Sequence, residues 1–428
     1  MNNNLNSNIT SKYYTCLICD IGGTNSRMSL VKLSKNKQDK CTKIDQKKLK
    51  SPDYSSLCNL LVSYLSPFVG SDNYPQIALL AIPGPVRHNK VSIIANLLHW
   101  PEGNGEELEK HLNIKKVILL NDFVAIGYGV STNLELNKNY YNINYNFSNF
   151  HNKSNASSNS KLDINEIDHE NGTYICIGAG TGLGHCIGYK TDHLYSIKKP
   201  FNIVDKDNPS YYVYHDVIPS EGGHQTFSPY NDNEYNYKKY ITNLLNIDHV
   251  SHERLCSGPA IPYMYNFYLE KIINANNKYR DLDSNINLKE VEDYNNIIPK
   301  LINIKSNDFN KKRWELTPEE IVKSAVNEDC PVSILVRNMF LEILATECSN
   351  FSLATLPYKG LFLVGSITNA FKDYLLTNKN NVFVERFFNK GRLSDFLYKL
   401  PIYLVTEENI GMIGCMEYAR RIIESLVI

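Results

Sequence analysis

Short apolar runs alternate along the chain with longer segments in which apolar residues recur every three or four positions. The runs have β-type composition and occupy residues 15–20, 77–82, 91–96, 116–120, 173–177, 361–364 and 402–405. Helical spacing is clearest in two stripes, one formed by Val336, Phe340, Leu344, Cys348 and Phe351 and the other by Met412, Met416, Ala419 and Ile423. Strands that alternate with helices in this way indicate an α/β protein.

The helical stripes come with local signals for where their helices lie. Residues 317–320 read TPEE, a helix start in which Thr317 can cap, Pro318 suits the first position and Glu320 can complete a capping box. We expect the helix that starts there to carry the stripe at 336–351 and to pack on a sheet. The last stripe predicts that the C-terminal helix docks on the fold, so that both chain ends belong to one domain.

Three polar segments interrupt this pattern. Residues 131–170 are rich in Asn, Ser and Tyr, and residues 198–214 and 274–313 are polar in the same manner. Their apolar content is too low to form a core, so they are interpreted as insertions into the α/β scaffold, the first of them a mobile loop.

Composition and charge narrow the class of ligand. The 428 residues include 45 basic and 45 acidic side chains, so the net charge is zero and nothing favours a nucleic acid. No apolar run reaches the roughly 18 to 20 residues that cross a bilayer, and the amino terminus lacks the apolar core of a secretory signal. We therefore expect a cytosolic protein that binds small molecules and has no membrane partner.

The ten cysteines do not indicate a metal or disulfide framework. They are scattered from Cys16 to Cys415 without paired CxxC clusters. Cys16 and Cys19 form a lone CxxC, but they lie in an apolar run that predicts a buried strand. Packing is therefore a better interpretation than redox chemistry.

A glycine pair follows the first apolar run, in the sequence DIGGTN at residues 20–25. Gly22 and Gly23 allow backbone N–H groups to approach a phosphate, Thr24 adds a hydroxyl, and Asp20 can hold the hydration shell of a cation. The alternative interpretation of this segment alone is a tight hairpin turn.

A second glycine loop strengthens the phosphate hypothesis. The sequence GAGTGLG at residues 178–184 lies between two β-like runs and contains Gly180, Thr181 and Gly182. It is neither a P-loop nor a dinucleotide fingerprint, because no Gly-Lys-Ser/Thr follows and a strand rather than a helix comes next. Two such loops predict two lobes with a nucleotide in the cleft between them. A third strand ends at Gly365, which suits it to back an adenosine.

Asp122 is the candidate for acid/base chemistry. It ends the apolar strand in LLNDF at residues 119–123, and a carboxylate at the C-terminal end of a strand in an α/β sheet can face a ligand. There it can accept a hydroxyl proton during phosphoryl transfer, where positioning matters more than basicity. The alternative is that Asp122 caps the helix that follows.

Polar groups suited to a polyol cluster in two further segments. SEGGH at residues 220–224 contains Glu221 and His224, and HER at residues 252–254 contains Glu253. Two carboxylates that accept from neighbouring hydroxyls, with a histidine nearby, are suited to binding a sugar. A metal site from Glu221 and His224 is disfavoured because the intervening Gly-Gly opposes a stable helix.

Taken in order, these motifs resemble the bacterial-type glucokinase family of the sugar kinase and actin superfamily. The resemblance runs from residue 16 almost to the C-terminus. It is carried by DIGGTNSR at 20–27, AIPGPV at 81–86, LLNDF at 119–123, GAGTGLG at 178–184, SEGGH at 220–224, ERLCSGPAI at 253–261 and YLVTEENIGMIGCMEYA at 403–419. It implies a two-lobed, ribonuclease H-like α/β fold.

The resemblance also implies a role for each candidate residue. Asp122 is expected to be the catalytic base of an ATP- and Mg²⁺-dependent kinase that phosphorylates the 6-hydroxyl of D-glucose. The expected sugar-binding residues are Asn96, Asn121, Asp122, Glu221, His224 and Glu253. The expected nucleotide-binding residues are Asp20, Gly22, Gly23, Thr24, Gly180, Thr181, Gly182 and Gly365.

By the same resemblance, residues 14–132 and 409–428 form a small domain and residues 133–408 a large one. The family usually has a Gly-Gly pair where this chain has Gly365-Ser366, a departure on the adenosine side of the pocket. The insertions could cover the face of a homodimer or only extend the surface, and the sequence does not decide between these alternatives. Rival interpretations are a related hexose, amino-sugar or polyphosphate-dependent kinase, and a glucose sensor without catalysis.

Overall fold

The computed structural model describes residues 13–34, 39–134, 140–142, 172–191, 214–280, 316–377 and 381–426. Its strands are β1 (Tyr13–Ile21), β2 (Asn25–Ser34), β3 (Thr42–Lys50), β4 (Ile77–Ile82), β5 (Val86–Arg87), β6 (Lys90–Val91), β7 (Gly103–Asn104), β8 (Lys116–Asn121), β9 (Tyr140–Asn142), β10 (Tyr174–Ala179), β11 (Leu183–Thr191), β12 (Tyr214–Ser220), β13 (Gly360–Val364) and β14 (Ile402–Val405).

The helices of the described residues are α1 (Leu57–Leu65), α2 (Gly105–Leu112), α3 (Asp122–Leu134), α4 (Asp232–Leu245), α5 (His252–Leu255), α6 (Ala260–Arg280), α7 (Pro318–Asn327), α8 (Pro331–Thr355), α9 (Ser366–Ala370), α10 (Lys372–Thr377), α11 (Val382–Phe388), α12 (Ser394–Tyr398) and α13 (Ile410–Leu426). None of these helices has the length and apolarity needed to cross a membrane.

The chain divides into two units. The first unit comprises Met1–Asn139, Cys186–Ser220 and Glu407–Ile428, and the second comprises Tyr140–His185 and Glu221–Thr406. The chain passes from one unit to the other within β11, between His185 and Cys186.

A five-stranded sheet in the order β3-β2-β1-β4-β8 forms the centre of the first unit. Strands β1, β2 and β3 are antiparallel neighbours, whereas β4 runs parallel to β1 and β8 runs parallel to β4. In this register Asp20 lies opposite Ala81, and Ile82 lies opposite Asn121. The carboxyl ends of the three parallel strands therefore meet at one edge of the sheet.

Of the four strands predicted between residues 15 and 120, three lie in this sheet and one is wrong. The runs at 77–82 and 116–120 are strands β4 and β8, whereas the strand predicted at 91–96 is wrong because only Lys90 and Val91 are extended. The segment turns instead, since Asn96 has a left-handed backbone with φ 65° and the Ala95 N–H donates to Pro83 O. Ile93 is 62% exposed, whereas Val91 and Ile94 are buried in the core of the unit, so the apolar run is divided between core and surface.

Both faces of the first sheet are buried, each against its own pair of helices. Leu17 and Cys19 pack with residues of α1 and α2, whereas Cys16 and Ile18 pack with residues of α3 and α13. Burial raises the pKa of the Cys16 thiol to about 12, and that of Cys19 is also raised by burial. Both thiols are fully buried in β1, which confirms the prediction of packing rather than redox chemistry.

Helices α3 and α13 cross with their backbones in close approach. A Cβ atom on Gly129 would collide with the Ile410 carbonyl, and one on Gly414 would collide with the Ala125 carbonyl. Arg421 of α13 adds a polar contact, since its guanidinium stacks on the Tyr128 ring at 4.7 Å. The predicted docking of the last helix is confirmed, and the crossing holds α3, which begins at Asp122, against the sheet.

The second unit contains the parallel strands β10, β13 and β14, followed by antiparallel β9. Gly178 lies opposite Val364, so the loops after β10 and β13 leave the same edge. The strands predicted at 173–177, 361–364 and 402–405 are confirmed as β10, β13 and β14.

The helix predicted from Thr317 is two helices. The capping box is present, because the Glu320 N–H donates to Thr317 Oγ1 at 3.2 Å and the Thr317 N–H donates to Glu320 Oε2 at 2.8 Å. However, α7 ends at Glu328, which adopts a left-handed backbone with φ 56°, and α8 begins anew at Pro331. Buried side chains lie on all sides of α8, since it packs among other helices as well as on β10.

Parts of the predicted insertions are ordered elements. Residues 131–134 end α3, residues 140–142 form β9, and α6 continues to Arg280. The remainder of the segments at 131–170, 198–214 and 274–313 lies outside the described residues, apart from Tyr214, which begins β12.

The crossing of α3 and α13 predicts that Gly414→Ala destabilises the first unit. The added methyl group forces the helices apart, which costs about 1–3 kcal/mol of unfolding free energy. Gly411→Ala is the matched control, because its Cβ meets no atom closer than Ile126 Cγ1 at 3.9 Å. We expect the denaturant midpoint to fall for Gly414→Ala and to be unchanged or raised for Gly411→Ala. Equal midpoints for the two variants would show that the crossing tolerates a side chain.

Candidate functional site

The first group of candidate residues lies at the carboxyl edge of the parallel strands of the first unit. Asp20 is next to last in β1, Asn121 is last in β8, and Asp122 begins α3. Asn96 is brought to the same place, since a Cβ on Gly23 would lie 2.6 Å from Asn96 Cβ. Residues that are far apart in the chain thus meet because their strands are in register.

The segment DIGGTN is a tight turn between β1 and β2. The Gly22 N–H donates to Asn25 O at 3.1 Å, so this donor is used within the turn. Ser51 supports the turn from outside, because its hydroxyl donates to Gly22 O at 2.6 Å and its N–H donates to Thr24 O at 3.2 Å. No hydrogen bond from the Gly23 or Thr24 N–H occurs within the described residues. The turn therefore presents these two donors rather than that of Gly22.

Asp20 stands beside Arg27 across the β1–β2 hairpin. Arg27 Nη1 lies 3.4 Å from Asp20 Oδ2, and the two residues are opposite each other in the register. Burial raises the pKa of the Asp20 carboxyl, and the Arg27 guanidinium partly opposes this rise. Arg27 was not among the residues predicted from the sequence, although a hairpin that turns at the glycine pair places residue 27 opposite residue 20.

Asn121 and Asp122 divide two roles between them at the start of α3. Asn121 Oδ1 accepts from the N–H groups of Phe123 and Val124 at 3.0 and 3.2 Å, and its Nδ2 donates to Gly84 O at 3.1 Å. Asp122 Oδ1 accepts from the Phe123 N–H at 2.9 Å. Asn121 thus provides the main helix cap and keeps one amide proton for a further acceptor.

The second group of candidate residues surrounds the glycine loop of the second unit. The Gly180 N–H donates to Gly182 O at 2.8 Å, and the Gly258 N–H donates to Gly180 O at 2.7 Å. A Cβ on Gly180 would meet no atom within 4 Å, so this backbone is open to a bulky ligand. Gly365 follows β13 with φ 102°, and a Cβ there would lie 2.6 Å from Ala179 O.

Glu253 contacts the end of this loop directly. Its Oε2 accepts from the Leu183 N–H at 2.9 Å, and a Cβ on Gly182 would lie 2.6 Å from the same oxygen. The turn that carries Glu221 and His224 is also adjacent, because Gly223 packs against the Leu183 carbonyl. The second unit therefore gathers the predicted phosphate loop and the predicted sugar-binding carboxylates.

Glu221 and His224 lie open to solvent. Their side chains are 50% and 60% exposed, and His224 Nε2 lies 3.8 Å from Glu221 Oε2. The intervening residues form a single 3-10 turn, Gly222–His224. This turn presents both polar groups on the surface of the second unit.

The chemistry of the donors fits a magnesium nucleotide. Within the described residues no group of three or more His, Cys, Asp or Glu side chains could hold a metal ion. Mg²⁺ does not require such a group, because it commonly binds one or two carboxylates together with water and phosphate oxygens. Asp20 beside the exposed Thr24 supplies this kind of partial site.

Comparison with known proteins identifies the family. The family model described as Glucokinase matches residues 17–199 and 210–422. The chain belongs to the glucokinase family. The resemblance found in the sequence is thereby confirmed, and with it the assignment of the chain as an ATP-dependent, glucose-phosphorylating enzyme.

Individual relatives cover almost the whole chain. The glucokinase of Nostoc sp. strain PCC 7120 is 26% identical over 405 residues, which are 94% of this chain and 98% of the relative. The crystal structure of a glucokinase from an Antarctic psychrotroph has a TM-score of 0.59 at 23% identity and covers 95% of this chain and 99% of its own.

The glucokinase of Balamuthia mandrillaris, solved in complex with glucose, has a TM-score of 0.63 at 19% identity and covers 97% of this chain and 95% of its own. At these identities the solved structures establish the fold alone. They confirm the predicted α/β sugar kinase fold.

The raised pKa of Asp20 predicts how stability depends on pH. A carboxyl whose pKa is raised by folding destabilises the fold as it ionises, so stability falls as pH rises from about 4, the unfolded value, through the folded pKa. Asp20→Asn is therefore expected to raise the melting temperature at pH 7, measured without nucleotide or metal, and to lose this advantage near pH 4.

Arg27→Gln provides the control for this prediction. As a single substitution it should lower the melting temperature at pH 7, because the ionised Asp20 loses its partner. In a chain that already carries Asp20→Asn it should have no such effect. Parallel pH profiles for the unmodified chain and Asp20→Asn would contradict the assignment.

Proposed function

We propose that this glucokinase transfers the γ-phosphoryl group of ATP to the 6-hydroxyl of D-glucose, with Asp122 as the general base. The observation that carries the proposal is the division of roles at the start of α3. Asn121 supplies the capping contacts to Phe123 and Val124, so capping alone does not account for a carboxylate at residue 122. A carboxylate that follows a parallel strand is well positioned to accept a proton from a bound hydroxyl.

Asp122 does not need a strongly shifted pKa for this role. In a loose phosphoryl-transfer transition state the nucleophile loses its proton late, so the orientation of the base matters more than its strength. The 2.9 Å contact between Asp122 Oδ1 and the Phe123 N–H fixes that orientation.

We assign the remaining polar residues to the sugar hydroxyls. We propose that Asn96, Asn121, Glu221, His224 and Glu253 bind them. Glu253 uses one oxygen for the Leu183 N–H and so offers the other to a hydroxyl. Charge-assisted hydrogen bonds of this kind contribute about 1.5 to 3 kcal/mol each.

We assign the glycine segments to the nucleotide. The N–H groups of Gly23 and Thr24 and the Thr181 hydroxyl are donors for phosphate oxygens, the open space at Gly180 admits the phosphate, and the Gly182 carbonyl holds the loop through the Gly180 N–H. Gly22 shapes the turn, and Gly365 allows close approach on the adenosine side. Mg²⁺ held by Asp20, directly or through water, would neutralise phosphate charge as the phosphoryl group is transferred.

The proposal also covers the domain organisation and the cellular compartment of the protein. We propose that residues 14–132 and 409–428 form the small domain of the sugar kinase fold and residues 133–408 the large one, although the first unit also includes Cys186–Ser220. The cytosol is the proposed compartment, since all ten cysteines are unpaired, as is typical of a reducing environment.

The decisive assay measures ADP release from MgATP by the purified protein with glucose, mannose, fructose or glucosamine as acceptor. Strong stimulation by glucose alone is expected. Equal stimulation by another acceptor would assign a broader hexose or amino-sugar kinase. Glucose binding by calorimetry without turnover would favour a sensor or another phosphoryl donor, and would overturn the proposal.

Asp122→Asn tests the base. The amide keeps the size of the side chain and can still accept from the Phe123 N–H, but it cannot take up a proton. We expect kcat to fall by about 10² to 10⁴ while glucose affinity is largely retained. Near-normal turnover in this variant would remove Asp122 from the role.

Two substitutions at Glu253 separate its two contacts. Glu253→Gln keeps an acceptor for the Leu183 N–H but loses the charge, so we expect weaker glucose binding with little change in the KM for ATP. Glu253→Ala also removes the acceptor, so both affinities are expected to fall. Unchanged glucose affinity by calorimetry in Glu253→Gln would rule out the sugar-binding assignment.

A further inference from the structure

A buried His-Glu-His cluster lies behind the candidate site of the second unit. Glu347 of α8 is 1% exposed, and its two carboxylate oxygens face two different imidazoles. Oε1 lies 3.3 Å from His185 Nε2, and Oε2 lies 3.1 Å from His252 Nδ1. His185 is fully buried and His252 is 3% exposed. We call these three residues the buried triad.

The two histidines occupy informative positions in the chain. His185 lies in β11 directly after the glycine loop at 178–184, and His252 directly precedes Glu253. The same two segments are already joined by the hydrogen bond from the Leu183 N–H to Glu253 Oε2. The buried triad is therefore a second link between the phosphate loop and the sugar-binding carboxylate.

Stability alone is a poor explanation for the buried triad. Two aromatic rings meet the imidazoles edge-on, Phe351 at 5.1 Å from His185 and Phe227 at 5.3 Å from His252. Within the described residues, both imidazole nitrogens of His185 and of His252, together with Glu347 Oε2, are buried without a hydrogen-bond partner, although Glu347 lies 3.3 Å from His185 Nε2 and 3.1 Å from His252 Nδ1. Burial lowers the pKa of His252, although the Glu347 charge opposes this. Apolar residues of similar volume usually fill such a space at no loss of stability.

We propose that Glu347 is a positioning residue that holds the phosphate loop and Glu253 in a fixed relation through His185 and His252. One rigid carboxylate sets the position of both imidazoles, and each imidazole fixes a backbone segment that carries a candidate ligand contact. A displacement of about 1 Å between two such segments can reduce turnover by about 10²-fold. The effect on catalysis rests on the proposed function, whereas the geometry of the triad does not.

The geometry favours two different tautomers, and this can be tested without activity. The nitrogen nearest to Glu347 is Nε2 in His185 and Nδ1 in His252, so the carboxylate favours a proton on those two nitrogens. ¹⁵N NMR of the histidine side chains in the full chain is expected to show one imidazole of each kind, assigned with the single variants His185→Asn and His252→Asn. Both signals should change in Glu347→Gln. Any other pair of tautomers, or signals insensitive to Glu347→Gln, would overturn the triad.

Kinetics test the positioning role. Glu347→Gln keeps the shape of the side chain but removes its charge, and we expect the KM for ATP and the KM for glucose to rise together, with kcat/KM about tenfold lower. Glu234→Gln is the matched control, because Glu234 is also 1% exposed but its carboxylate is engaged by Arg386 at 2.7 Å and by the Tyr230 N–H. It is expected to lower the melting temperature without raising both KM values.

The outcomes separate this proposal from the proposed function. If Glu347→Gln only lowers the melting temperature, with both KM values of the folded protein unchanged, the positioning role is wrong. If Glu347→Gln does not fold, Glu347→Asp replaces it, since the shorter carboxylate cannot reach both imidazoles and should raise both KM values to a smaller extent.

A lack of glucose-dependent ATP turnover in the unmodified chain would refute the proposed function but not the positioning role. Calorimetry then measures the binding of glucose and of a non-hydrolysable ATP analogue to the unmodified chain and to Glu347→Gln. Weaker binding of both ligands to the variant would support the positioning role, and unchanged binding would overturn it.

Discussion

The register between parallel strands is the constraint on which the rest of the molecule depends. A parallel ladder aligns the carboxyl ends of its strands. The residues at those ends are therefore brought together even when they are far apart in the chain. In the first unit this brings the ends of β1, β4 and β8 to one edge, including Asp20 near the end of β1 and Asp122 directly after β8. In the second unit it brings the loop after β10 beside Gly365, which follows β13. A shift of one residue in either ladder would separate these groups.

Close approach of backbones is the second requirement, and glycine meets it at several points. Gly129 and Gly414 let two helices touch, and Gly223 lets the SEGGH turn rest on the Leu183 carbonyl. In each case the missing side chain is what allows the contact, because a Cβ atom would overlap with a carbonyl. Glycines of the motifs therefore serve packing, and Gly22 uses its N–H within its own turn.

The sequence predicts the parallel strands well because burial on both faces leaves an uninterrupted apolar run. The run at 77–82 has the bounds of β4, and all six of its residues are buried. The run at 91–96 looks similar, but a hydrogen bond to Pro83 and a left-handed Asn96 turn it out of the sheet, and neither leaves a signature in composition. The break between α7 and α8 lacks the usual glycine, because a glutamate occupies the left-handed position, although Pro331 at the start of α8 marks it in the sequence. The candidate residues differ in the same way. Residues at the ends of strands or directly after them could be identified from the sequence. Glu347 could not, because its two histidine partners are distant in the chain.

Three carboxylates among the candidate residues, Asp20 and Asp122 of the first unit and Glu253 of the second, share one arrangement that links fold to chemistry. Each has an oxygen held by the protein: Asp20 by Arg27, Asp122 by the Phe123 N–H and Glu253 by the Leu183 N–H. Holding one oxygen fixes the direction of the other, so the orientation needed for a proton or hydroxyl is set before the ligand arrives. In two of the three cases the donor is a backbone N–H, whose position is determined by the strand or helix it belongs to. The precision of the site is therefore inherited from the regular structure beneath it, and a residue such as Glu347 can act on chemistry without touching the substrate.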